Sequence, residues 1–129
     1  MGSMTVNPLT VTYTGSSATK TDSGGSTSTI VIHATTAQSA LNLSKLIVVF
    51  ENYSSTASFT CTLGAGDDFS EINQGAAAAL TVATAGTAGY VRAFGGVSFE
   101  SARFLTDDGE VSFTITTAAT CYVTAFMIP

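Results

Sequence analysis

The stretch Lys45-Leu46-Ile47-Val48-Val49-Phe50-Glu51 decides the fold. Its interior is apolar without a break and rich in β-branched residues, which favour the pleated backbone. In a strand, Leu46, Val48 and Phe50 take one face, and Ile47 and Val49 the other. A short run that is apolar on both faces reads as a central strand, covered on one side by a second sheet and on the other by something else.

Outward from it, period-2 alternation recurs almost throughout. Phe59, Cys61 and Leu63 alternate with Thr60 and Thr62, and the connector Asn52-Tyr53-Ser54-Ser55-Thr56 predicts a hairpin with the preceding strand. Val111, Phe113 and Ile115 alternate with Ser112, Thr114 and Thr116. Their expected hairpin partner is Ser98 to Leu105, joined through Thr106-Asp107-Asp108-Gly109, where glycine suits a left-handed position. Leu9, Val11 and Tyr13 mark an opening strand, Ile30 and Ile32 a second, and Leu80 and Val82 a short one. Tyr90 to Phe94 is a further strand, and Cys121 to Ile128 closes the chain with Tyr122, Thr124 and Phe126 on one face. Gly15–Ser28, with its Asp22-Ser23-Gly24-Gly25 turn, and Gly64–Gly75 read as loops. Thr36 to Leu41 offers one helical turn, too short to stand alone. About eight short strands with no substantial helix predict an all-β fold, an antiparallel β-sandwich of jelly-roll type.

The chain has 129 residues, and residues 5–129 fit one domain. Residues 1–4, Met1-Gly2-Ser3-Met4, look like a cloning scar and a start methionine. The segment from Met4 to Pro8 carries no charge and contains a residue that lacks an amide donor. It is expected to form an arm that packs poorly on its own domain and orders against a neighbour, with Val6 and Leu9 supplying the contact.

Only 10% of residues are charged, against 45% hydrophobic, and the mean hydropathy is +0.37. So few charges leave much of the exterior to Thr and Ser hydroxyls or to subunit contacts, and the hydropathy favours the contacts. A net charge of −5 with four scattered basic residues argues against nucleic acid. Leu46–Phe50 is too short to cross a bilayer, and no secretory signal opens the chain. Cys61 and Cys121 read as small buried hydrophobes, and whether they pair is open.

Reactive chemistry is sparse. His33 is the only imidazole, no G-x-S-x-G elbow accompanies it, and it reads as a structural strand residue. The acids Asp67-Asp68, Glu71 and Asp107-Asp108-Glu110 are flanked by glycine, so they read as turn chemistry; calcium at these loops stays open. Gly64-Ala65-Gly66 has no following lysine and is no phosphate cradle. Arg103, within Phe99-Glu100-Ser101-Ala102-Arg103-Phe104, is expected in an ion pair or an intersubunit contact. With no Trp and four dispersed Tyr (13, 53, 90 and 122), the chain lacks an obvious sugar platform. An enzyme, a cofactor and a metal centre are therefore not expected.

From Leu9 to Ile128 the chain resembles the small virion proteins of tailed bacteriophages, in particular capsid decoration (head-stabilising, cement) proteins. The resemblance rests on the Thr-rich opening strand and on Thr21-Asp22-Ser23-Gly24-Gly25-Ser26. Ile32-His33-Ala34-Thr35-Thr36-Ala37-Gln38 and the segment Phe99 to Leu105 add to it. It implies a non-enzymatic β-domain, made in the host bacterial cytoplasm, that sits on the capsid exterior. Its partners would be further copies of itself, as a trimer, and the major capsid protein. Val6, Pro8, Leu9 and Arg103 are the candidate contacts to a subunit or shell. The alternative is a carbohydrate- or receptor-binding β-sandwich module of a phage tail or secreted protein.

Overall fold

The structure, a computed structural model, describes residues 2–11, 20–25, 27–36, 38, 41–42, 45–64, 80–95, 109–116 and 120–128. They form β1 (Gly2–Val6), β2 (Leu9–Thr10), β3 (Thr21–Asp22), β4 (Thr27–Ile32) and β5 (Leu46–Asn52). After these come β6 (Phe59–Leu63), β7 (Leu80–Val82), β8 (Val91–Gly95), β9 (Val111–Ile115) and β10 (Cys121–Met127). There is no α-helix among the described residues. One sheet runs β1-β4-β9-β6-β7; the other runs β2-β10-β5-β8, with β3 also on β10. All pairings among β3 to β10 are antiparallel, whereas β1 joins β4 and β2 joins β10 in parallel. The expected all-antiparallel sandwich is thus an all-β structure of two mixed five-stranded sheets.

The inward alternation of both sheets makes the core. Leu46, Val48 and Phe50 of β5, Ile30 and Ile32 of β4, and Val111 and Phe113 of β9 are all wholly buried. Phe50 and Phe94 come from one sheet and Phe113 from the other. Their ring centroids lie 5.9 Å (Phe50–Phe94), 5.0 Å (Phe50–Phe113) and 4.9 Å (Phe94–Phe113) apart, so the three rings tie the layers together.

Three expectations give way. The N-terminal arm is a strand: β1 pairs with β4 through Val6↔Ile32, Val6 is 4% exposed in the core, and Met4 packs against it. Residues 2–4 pair in the ladder whatever their origin, because Met4 and Val6 supply the apolar positions that β4 leaves uncovered. Residues 7–8 then cross to the second sheet, where a missing donor is harmless. The Asn7 amide donates to the His33 carbonyl, and Gln38 Nε2 donates to the Pro8 carbonyl. Removing residues 2–6 should cost about 2–4 kcal/mol, mostly from Val6 and Met4 burial. A urea midpoint unchanged by that truncation would contradict the placement of β1.

The second correction concerns Asn52 to Thr56. It joins β5 of one sheet to β6 of the other, so it is a corner and not a hairpin. Asn52, 1% exposed, makes the corner: its Nδ2 donates to the carbonyls of Ala57 and Ala83, and its Oδ1 accepts from the Ser54 amide. Third, β9 has β4 on one edge and β6 on the other, which leaves no edge for the expected hairpin partner. The partner itself, Ser98 to Leu105, lies outside the described residues. Gly109 before β9 does take the left-handed conformation, at φ 75°.

Cys61 and Cys121 are buried, as read from the sequence, and both are free thiols, a point the sequence leaves open. Burial pushes the Cys61 thiol from 9.0 up to about 12. Between those values only the unfolded chain gives up this proton. The contribution is thus intact below pH 9 and is lost as pH rises toward 12, at ~1.4 kcal/mol per pH unit. Urea unfolding at pH 8, 9.5 and 10.5 should show a shallower loss for Cys61→Ala than for the parent. Parallel slopes would contradict this.

Candidate functional site

The two sheets have the same pleat but different outer faces. On the sheet containing β9, the outward register sets Thr29 beside Thr114 and Thr114 beside Thr62, with Thr60 beside Thr81. Ser112 and Val31 complete that face, which is mostly hydroxylated. On the sheet containing β5, the outward positions form three cross-strand rows over β10, β5 and β8: Tyr122–Glu51–Val91, Thr124–Val49–Ala93 and Phe126–Ile47–Gly95. Directly opposed residues share a face, so these rows form one contiguous surface. Val91 is 42% exposed and Ile128, just past β10, is 46% exposed. Two shallow grooves of ≈ 360 and ≈ 370 Å³ run along this face. Because the first sheet shows what the fold tolerates outside, the apolar choice on the second is not imposed by the architecture.

One end of the face is polar. Lys20 Nζ lies 2.7 Å from Glu51 Oε2 and 5.0 Å from the centre of the Tyr122 ring. The hydrogen bond to Glu51 is the main cause that raises the Lys20 pKa. The Tyr53 ring packs tilted against Tyr122, with centroids 4.8 Å apart, and its hydroxyl donates to Asp22 Oδ1 at 2.8 Å, which raises the phenol's pKa. Asp22 also accepts the Gly24 amide, the turn that its glycines predict. Tyr90, 39% exposed, stands close enough to Lys20 to act on its charge. At the opposite end Lys45 is exposed, and its carbonyl accepts the Ile128 amide.

The sequence reading missed this convergence. Tyr53, Tyr90 and Tyr122, which look scattered, come together because β5, just before Tyr53, lies between β10, which carries Tyr122, and β8, which Tyr90 precedes, and no local signal states that pairing. The candidates it did name are dispersed. Val6 is in the core and is not free to serve as a contact; Pro8 is buried, Leu9 is half-buried, and Arg103 lies outside the described residues. His33 Nδ1 lies 3.4 Å from Glu110 Oε2 at the surface, consistent with a structural role. Asp67, Asp68, Glu71, Asp107 and Asp108 lie outside the described residues; among those described, no three His, Cys, Asp or Glu gather as a metal site. No family model, curated protein or solved structure matches the chain.

Proposed function

We propose that this chain is a non-enzymatic structural protein of a phage virion, a decoration protein that binds and stabilises an assembled capsid. The observation that carries the reading is the apolar outer face of the sheet containing β5, set against the hydroxylated face of its companion. Such a patch belongs to a protein that works while covered by protein. A decoration protein acts by mass action: it binds the assembled shell better than free subunits, and so opposes disassembly. The strand orders β3-β10-β5-β8 and β4-β9-β6-β7, antiparallel throughout, support a jelly-roll winding with β1 and β2 added at its edges. That architecture recurs in viral capsid and lectin domains. Its partners are further copies of itself and the major capsid protein, and its place is the capsid exterior.

The test is cosedimentation with expanded shells of the phage that encodes it, prepared without this protein. Saturable retention, with a rise in the shell's melting temperature, is the expected result. Shells that neither retain the chain nor gain stability would contradict it.

The Tyr53–Tyr122 pair beside Asp22 and Glu51 favours a second reading, a carbohydrate-binding module. Against it, Lys20 already occupies the Tyr122 ring and Asp22 already engages the Tyr53 hydroxyl. Glycan-array binding that Tyr53→Ala abolishes would move the assignment to that reading.

A further inference from the structure

We infer that the apolar outer face pairs with the same face of a second copy of this chain, about a two-fold axis that crosses β5 at Val49. The inference rests on reading this face as a protein contact, and it names the occupant.

The face is self-complementary. A two-fold contact requires each patch to match itself end for end. Along β5, Lys45 lies four residues to one side of Val49 and Tyr53 four residues to the other. An axis in the interface, perpendicular to the strand through Val49, therefore sets Lys45 of one copy over Tyr53 of the other. The Tyr53 hydroxyl holds the Asp22 carboxylate at 2.8 Å, so an exposed cation meets an anion that is already positioned. The symmetry makes this pair twice. In between, the row Tyr122–Glu51–Val91 of one copy lies over Phe126–Ile47–Gly95 of the other. Gly95, which has no side chain, gives room to the exposed Val91. Glu51 does not meet Ile47 as a bare charge, because Lys20 of its own copy neutralises it at 2.7 Å.

Charge supports the choice of occupant. The chain carries −5 overall with four basic residues, yet Lys20 and Lys45 both flank this face. Those placements let two acidic chains meet without net repulsion at the contact. The size suits a reversible pair. Eight residue steps by three strands span roughly 26 Å by 15 Å, or about 800 Å² counted over both copies. That is below the range of stable specific interfaces and far below what an obligate dimer buries, so the pair is a weak, transient one.

Sedimentation equilibrium on the intact chain, from micromolar to millimolar concentration at low salt, tests this. The expected result is a monomer–dimer equilibrium. Val49→Arg, at the axis, should abolish it by placing like charges opposite each other, while circular dichroism and melting stay those of the parent. Lys45→Glu should weaken the dimer about tenfold, and adding Asp22→Lys to it should recover most of that loss. A chain that stays monomeric to millimolar concentration overturns the inference, as does a trimer or a dimer indifferent to Val49→Arg and Lys45→Glu. Failure of the shell reading is distinguishable: a dimer with these responses that no shell retains leaves the pairing standing, and shell retention of a monomer that never pairs removes the pairing alone.

Discussion

Phe50→Ala is expected to bring the chain to the edge of unfolding at room temperature. Phe50 is wholly buried and contacts two other rings, Phe94 at 5.9 Å and Phe113 at 5.0 Å. Truncation removes the buried ring and leaves a cavity that the two sheets cannot close, because each is held by its own ladder. The transfer and cavity costs together come to about 3–5 kcal/mol, to which the lost ring pairing adds about 1 kcal/mol. Domains of this size are stable by about 5–15 kcal/mol in total. The measurement is equilibrium urea unfolding followed by circular dichroism. Phe50→Leu should cost much less, since it keeps most of the volume. A loss under about 1.5 kcal/mol for Phe50→Ala would mean that the three rings are not the bridge between layers.

The second large effect belongs to Asn52→Leu, a change that keeps size and removes the three side-chain hydrogen bonds of Asn52 at the corner. Two carbonyls, Ala57 and Ala83, lose their donor, and the Ser54 amide loses its acceptor. A buried polar group left unpaired costs about 1–3 kcal/mol. Because Ser54 and Ala57 have some access to water, the sum should be about 3 kcal/mol and not three full penalties. The same substitution loosens Tyr53, the next residue, and should raise its solvent exposure in fluorescence quenching. A stabilised Asn52→Leu protein would show that the corner is held by apolar packing alone.

How much of this was legible in the sequence follows from the range of each signal. The strand at Leu46 to Phe50 was legible because alternation is local, and its central place follows from apolar residues on both faces. The glycine turns at Gly24, Gly25 and Gly109 were legible too, and all three have positive φ. Which strands pair was not. The sequence proximity of β5 and β6 suggested a hairpin, yet the connection between them crosses sheets, because Asn52 satisfies the corner's carbonyls and no turn glycine stands there. The N-terminal residues were misjudged because Gly2 to Val6 have little alternation of their own and are recruited by the exposed edge of β4. The Tyr53–Tyr122–Lys20 cluster was invisible for the same reason, since it exists only once β3 and β5 flank β10.

The account's central claim is that the outer face of the β5 sheet works while covered. Hydroxyl-radical footprinting of side chains, comparing the free chain at low micromolar concentration with the chain bound to the proposed shell, tests it most directly. Val91, Tyr122, Phe126 and Ile128 should be labelled in the free chain and protected in the assembly. Equal labelling of that face in both states would contradict the claim.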